Sequence, residues 1–149
     1  MTLHNILEQG VTCMKSNKEK RLFDFQRILN DLQSLNSPIV VEGKRDTIAL
    51  RKLEINSEII EINDGTSVLN TVERIFQNFG SLTIFIILTD WDKTGNKLAK
   101  QLISYGEASD LKPNDQLRRK LSTFTNKEIS CVEELPTFVK GLRGEALSL

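Results

Sequence analysis

The sequence predicts an α/β fold, a four-stranded parallel sheet flanked by helices and preceded by an N-terminal helical extension. Two observations predict it. Helical periodicity fills the chain before Pro38, and after Pro38 short β-branched runs alternate with helical segments. The chain has 149 residues, the size of one domain. We therefore assign residues 1–36 to the extension and residues 37–149 to the domain.

Two helices are predicted in the extension. Residues 3–14 fit one helical face loosely, and a second pattern has apolar residues three and four apart. These residues are Leu22, Phe25, Ile28, Leu29, Leu32 and Leu35. Pro38 ends the second helix because proline disfavours helix at the residue before it. The apolar stripe suits either the core of the domain or an interface with a second copy or another protein.

The sheet is predicted from short strands that alternate with helices. Strands are predicted over residues 39–41, 58–62, 83–89 and 129–132. Helices are predicted over residues 44–54, 68–79, 95–104, 115–121 and 135–142. We expect Thr66 or Ser67 to cap the second of these helices, and Gly80 to end it. The Ile- and Val-rich first strand is typical of a strand buried on both faces.

Composition excludes several classes of protein. The chain carries 20 basic and 20 acidic residues, which excludes a polybasic protein that coats nucleic acid by bulk charge. His4 is the single histidine, so a two-histidine zinc site is excluded. The longest strongly apolar run, residues 82–89, is too short to cross a bilayer. With Cys13 and Cys131 interpreted as reduced thiols, we expect a soluble, cytoplasmic protein with no membrane partner.

Carboxylates follow two of the predicted strands where each strand ends. Glu42 and Gly43 follow the first strand, and Asp90 and Asp92 follow the third. Ligands of open parallel sheets bind beyond the carboxyl ends of the strands, so these acids are expected to meet. Converging carboxylates repel, and a cation relieves that repulsion; their oxygens suit Mg²⁺ or Mn²⁺. Gly43 is expected to admit a ligand close to the backbone or to take a positive φ.

These two segments resemble the motifs of the Toprim domain, which topoisomerases, bacterial primases and some nucleases share. The motifs are an apolar strand ending in Glu-Gly and a later one ending in Asp-x-Asp. Here they read IVVEGKRDT (39–47) and IFIILTDWDKTG (84–95). The resemblance covers residues 38–135 and is greater to the ribosomal-RNA maturation nuclease and its small archaeal relatives than to a topoisomerase. It implies a Toprim-like Rossmannoid sheet. Thr94 stands where some members carry a third aspartate.

The resemblance implies metal-dependent cleavage or transfer of phosphodiesters in RNA or DNA. Glu42, Asp90 and Asp92 are the implied catalytic residues and the implied ligands of Mg²⁺, with Mn²⁺ as an alternative. Glu42 is further implied as a general acid or base, or as a ligand of a second metal. Asp46 is interpreted as the first-turn acid of a helix rather than as part of the site.

Contacts to nucleic acid are expected from basic residues. Lys44 and Lys93 flank the acidic motifs, and a compact cluster follows later in the chain: Arg118, Arg119 and Lys120. The alternative for each is a solvated side chain. Trp91 either stacks on a base or packs against a neighbouring helix.

Two other functions fit parts of the pattern. A non-catalytic Toprim module would bind nucleic acid or a protein complex as an adaptor through the N-terminal helices. DWDKT also matches the Asp-x-Asp-x-Thr nucleophile motif of haloacid-dehalogenase-like phosphatases. That motif normally opens the fold, however, and too few residues follow Thr94 for the remaining strands.

Overall fold

The computed structural model of the chain describes residues 17–62, 67–125 and 128–147, with side chains as far as residue 144. The helix predicted over residues 3–14 lies outside the described residues, as does Thr66. None of the helices in the described part of the chain is long and apolar enough to span a membrane.

Helices and strands alternate along the described residues. In chain order they are α1 (Asn17–Gln33), β1 (Ile39–Val41), α2 (Lys44–Lys52), β2 (Ile59–Glu61), α3 (Val68–Phe79), β3 (Ile84–Ile87), α4 (Lys93–Ala108), β4 (Lys112–Asn114), α5 (Gln116–Thr125), a 3-10 turn (Val132–Glu134) and α6 (Leu135–Leu147). The four strands form one parallel sheet in the order β2–β1–β3–β4. The predicted α/β class, with its four-stranded parallel sheet, flanking helices and N-terminal helix, is confirmed.

The sheet has an apolar core on each face. Alternate residues of a strand point to opposite faces, so Ile39 and Val41 of β1 join one core and Val40 joins the other. The first core is covered by α1, α2, α5 and α6, and the second by α3 and α4. All three β1 residues are fully buried, as the β-branched run predicted.

Helix α1 is part of the first core. Phe25, Leu29 and Leu32 are buried there, and the Phe25 ring lies 5.0 Å from the ring of Phe124 on α5 and 5.3 Å from that of Phe138 on α6. The apolar stripe of the described helix therefore packs in the core of the domain, which is one of its two predicted alternatives.

The ends of α3 agree with the predicted signals. The hydroxyl of Ser67 accepts a hydrogen bond from the amide of Asn70 and so caps the helix. Gly80 ends the helix with φ of 93°, a left-handed backbone that glycine adopts without strain. Both predictions are confirmed.

The predicted fourth strand is wrong. The strand beside β3 is Lys112–Asn114, and residues 129–132 do not join the sheet. Pro113 is tolerated because β4 is an edge strand. The backbone of the 129–132 segment instead bonds to the loop after β3. Trp91 N donates to Ser130 O at 2.8 Å, and Val132 N donates to the carboxylate of Asp90.

Candidate functional site

Glu42 and Asp90 lie together at the carboxyl ends of the two central strands. Strands β1 and β3 are hydrogen-bonded neighbours with Ile39 paired to Ile86, so the residues that follow them emerge side by side. The main-chain amide of Asp90 donates to Glu42 Oε2 at 2.7 Å. One carboxylate is thereby bonded to the backbone that carries the other.

Asp90 bears the most perturbed carboxyl of the group. Burial raises the pKa of Asp90 from 3.8 to about 7, and the charges of Glu42, Asp46 and Asp92 act in the same direction. A hydrogen bond from Val132 N to Asp90 Oδ1, at 3.0 Å, opposes the rise without cancelling it. The charges of three neighbouring acids therefore act on Asp90 at this edge of the sheet.

Asp92 stands at the rim of this group. Its Oδ1 accepts a hydrogen bond from Gly95 N at 2.7 Å and caps helix α4. The side chain is exposed, and its charge is one of those that raise the pKa of Asp90. Asp92 thus combines a capping role with a position near Asp90.

Asp46 is a fourth acid that sequence reasoning assigned to the helix alone. Asp46 Oδ2 accepts from Gly43 N at 3.1 Å in the first turn of α2, which confirms the helix role. The residue is nevertheless only 6% exposed. Burial raises the pKa of Asp46, and the charges of Glu42 and Glu133 add to that rise. The spacing of Asp46 four residues after Glu42 was the sequence signal that it lies near the acidic site.

The donor set suits a hard cation held by few protein ligands. Within the described ranges, no group of three or more His, Cys, Asp or Glu side chains is arranged to hold a metal ion. Mg²⁺ usually takes only one or two carboxylates and completes its shell with water and substrate phosphate. Because the charge on Asp90 is disfavoured in the folded protein, a cation would relieve that cost. Glu42 and Asp90 therefore fit such an ion.

The two glycines of the loops have different roles. Gly43 has φ of −158°, an extended backbone that any residue adopts, so the expected positive φ is wrong. A Cβ at Gly43 would meet nothing within 4 Å, which leaves room for a ligand to approach. A Cβ at Gly95 would lie 1.7 Å from Asp90 O. Gly95 is therefore required because α4 begins against the Asp90 backbone.

Arg118 does not belong to a surface cluster, so its predicted contact with nucleic acid is wrong. The residue is 6% exposed, and its guanidinium points into the protein. Nε donates to Thr89 O at 2.9 Å, and Nη2 donates to Asp90 O at 2.6 Å and to Asn96 Oδ1 at 2.5 Å. Burial lowers the pKa of Arg118, and the neighbouring acids oppose that change. Arg118 thus fixes the backbone that carries Asp90.

The other predicted basic residues remain on the surface. Lys44 and Lys93 are exposed as the first residues of α2 and α4, next to the acidic motifs. Lys120 is exposed, and the largely exposed Arg119 pairs with Asp115 at 3.2 Å. These four keep the nucleic-acid role as a prediction.

The side chains of Trp91 and Cys131, near Asp90, are engaged in contacts within the protein. Trp91 Nε1 donates to Ile129 O at 2.9 Å and to Thr125 Oγ1 at 3.1 Å, and the ring packs against the first core. Of the two alternatives for Trp91, packing is the one observed. Burial raises the pKa of Cys131 to about 12, so its thiol stays protonated and is a poor nucleophile.

Comparisons with known proteins found several relatives, although no protein-family model matches the chain. A UPF0292 protein of Methanosarcina barkeri is 37% identical over 127 residues, which cover 83% of this chain and 86% of that protein. A UPF0292 protein of Methanosarcina acetivorans is 38% identical over 129 residues, covering 85% and 87%. One from Pyrococcus abyssi is 36% identical over 111 residues, covering 74% and 80%.

A solved structure shares the fold. It is described as a putative protein from Aquifex aeolicus, and it superposes with a TM-score of 0.62 at 22% identity. The match covers 73% of this chain and 95% of that one. At this identity the likeness shows the fold alone.

Proposed function

The chain belongs to the UPF0292 family, and we propose that it is a Toprim-like enzyme that cleaves or transfers nucleic-acid phosphodiesters with the help of Mg²⁺ or Mn²⁺. The observation that carries the proposal is the hydrogen bond between the amide of Asp90 and the carboxylate of Glu42. It lies beyond the carboxyl ends of the two central parallel strands, where open α/β sheets bind ligands.

The acidic residues would divide the work. Asp90 and Glu42 would hold the ion, directly or through water, and Asp92 would add a third carboxylate from the rim. Glu42 would alternatively serve as general acid or base, or as a ligand of a second metal. When bound, Mg²⁺ supplies positive charge that neutralises the scissile phosphate and the leaving oxygen. Arg118 holds the backbone at Asp90, which keeps the carboxylates in position.

Two of the described side chains, Cys131 and Tyr105, are poorly suited to act as the nucleophile. Cys131 is a protonated thiol bonded to Glu134, and Tyr105 lies near the far end of α4 from Asp92. A water molecule or a substrate hydroxyl is the attacking group in this proposal. Exposed Lys44 and Lys93 would bind phosphates on either side of the acids.

A cleavage screen tests the proposal. Labelled single- and double-stranded RNA and DNA are incubated with Mg²⁺, Mn²⁺ or EDTA and separated on denaturing gels. We expect metal-dependent cleavage that falls by about a hundredfold or more in Glu42→Gln and Asp90→Asn. Asp110→Asn is the matched control, since Asp110 is an exposed acid just before β4, at the amino ends of the strands and not at their carboxyl ends. Absence of cleavage on all four substrates, or equal loss in the control, would contradict the proposal.

A non-catalytic binding module is the second candidate. The observation in its favour is that Glu42, Asp90 and Asp92 each accept a main-chain amide, which is a structural task. Such a module would bind nucleic acid in the presence of Mg²⁺ and leave it intact in the same screen.

A further inference from the structure

A shallow groove lies between α2 and the segment that begins α6. One wall carries Arg45, Ile48 and Lys52 of α2, and the other carries Glu133 and Pro136. The volume is about 240 Å³. This is less than the roughly 300–1,000 Å³ of pockets that enclose drug-sized molecules, so it suits one ring system rather than a whole small ligand. We call it the α2–α6 groove.

The walls of the α2–α6 groove adjoin residues of the acidic site along the chain. On one wall, Arg45 immediately precedes Asp46, whose carboxylate holds the amide of Gly43. On the other wall, Glu133 immediately follows Val132, whose amide donates to Asp90. Each wall is thus one residue away from a group that is bonded within the acidic site. In the proposed function, a polymer with one phosphate at Asp90 would place its next unit towards this groove.

The chemistry of the groove matches a nucleotide. Ile48 lines the groove and is 45% exposed, so it offers an apolar surface on the α2 wall. Arg45 and the exposed Lys52 place positive charge along the α2 wall, where an anionic backbone would pass. The Arg45 side chain is 82% exposed and only loosely paired with Glu133, at 3.7 Å. The Glu133 carboxylate can accept hydrogen bonds from the exocyclic amine of a base.

We propose that the α2–α6 groove binds the base of one unpaired nucleotide of a single-stranded nucleic acid, next to the phosphate held at the acidic site. The inference rests on the proposed function and names its substrate class. An unpaired base can leave the strand and lay its face on Ile48, whereas a base inside a duplex stays stacked and paired. Single-stranded ends, loops or tails are therefore the preferred substrates.

Binding measured without metal tests the groove separately from cleavage. Fluorescein-labelled oligo(C) and oligo(dC) of about 12 nucleotides, whose bases carry an exocyclic amine and whose length lies within the usual range of single-strand sites, are titrated with protein in EDTA and followed by anisotropy. Lys52→Ala and Ile48→Ser are each expected to weaken binding about fivefold, in line with losing one phosphate contact or one base contact. Lys112→Ala is the matched control, because Lys112 is an exposed lysine that begins the edge strand β4 and does not line the groove.

The salt dependence gives a second readout. Lys52→Ala should reduce the slope of log affinity against log salt by about 0.7, while Lys112→Ala and Ile48→Ser leave the slope unchanged. A duplex of the same length should bind about tenfold more weakly and respond little to either groove variant. The inference is overturned if no oligonucleotide binds, if the duplex binds as tightly as the single strand, or if Lys112→Ala weakens binding as much as Lys52→Ala.

The two proposals fail in different ways. If the groove variants lose binding but no substrate is cut with Mg²⁺, the groove stands and the enzymatic proposal fails. If Mg²⁺-dependent cleavage requires Asp90 while the groove variants bind and cut like the wild type, the groove proposal fails alone.

Discussion

Replacing Asp90 with asparagine is expected to stabilise the metal-free protein at neutral and alkaline pH. Burial raises the pKa of Asp90 from 3.8 to about 7. Between these values the folded protein holds a proton that the unfolded chain has released, so stability falls as pH rises through this window. The cost begins above about pH 4 and is complete above about pH 7.

The size of the effect follows from the pKa difference. A difference of about three pH units corresponds to a ceiling of about 4 kcal/mol. Solvent reaches part of the Asp90 side chain, and screening reduces this to about 1–2 kcal/mol. Asparagine keeps the oxygen that accepts from Val132 N, so the loop retains that hydrogen bond. The free energy of unfolding should therefore rise by about 1–2 kcal/mol at pH 8, and by less at pH 5.

Urea unfolding in EDTA at pH 5 and pH 8 measures this difference. Trp91 is the single tryptophan and adjoins Asp90, so its fluorescence reports unfolding of the site itself. Asp110→Asn should show no comparable gain, because that acid is exposed. If Asp90→Asn is equal to or less stable than the wild type at pH 8, the carboxylate is already satisfied in the protein. The reason for placing a cation beside it would then be lost.

Two further substitutions test how the site is held. Gly95→Ala should lower the free energy of unfolding by about 2–4 kcal/mol, because its Cβ would overlap Asp90 O. Gly43→Ala is the control and should change the free energy of unfolding by about 0.5 kcal/mol or less. Equal thermal denaturation midpoints for the two variants would refute the close contact at Gly95. Arg118→Lys should cost about 2–3 kcal/mol because an ammonium cannot reproduce the three bonds of the guanidinium. Arg119→Lys is its matched control, and its free energy of unfolding in chemical denaturation should stay within about 0.5 kcal/mol of the wild type. Similar losses in both variants would show that the buried guanidinium of Arg118 does not stabilise the loop more than an exposed one.

The central strands and their terminal acids were predictable because local sequence determines them. Strand β1 reads Ile-Val-Val and strand β3 reads Ile-Phe-Ile-Ile, and such short apolar runs are typical of buried parallel strands. The rule that ligands gather beyond the carboxyl ends of parallel strands then places Glu42 near Asp90 without knowledge of the packing.

The features that were missed depend on tertiary contacts. Strand β4 reads Lys-Pro-Asn and has neither apolar alternation nor β-branched residues, because an edge strand does not require them. Arg118 looks like part of a basic surface run, yet it lies on α5 between the buried Leu117 and Leu121. That helical face was a signal in the sequence, but the carbonyls that Arg118 satisfies belong to the loop after β3, far away in the chain.

The most direct test of the central claim is a Mn²⁺ titration of the EDTA-stripped protein, followed by the electron paramagnetic resonance signal of free Mn²⁺. The wild type should bind the ion, and Glu42→Gln and Asp90→Asn should each weaken binding by about tenfold or more. Asp110→Asn should bind like the wild type. Binding that is unchanged in both site variants, or no binding by the wild type, would contradict a divalent cation held between Glu42 and Asp90.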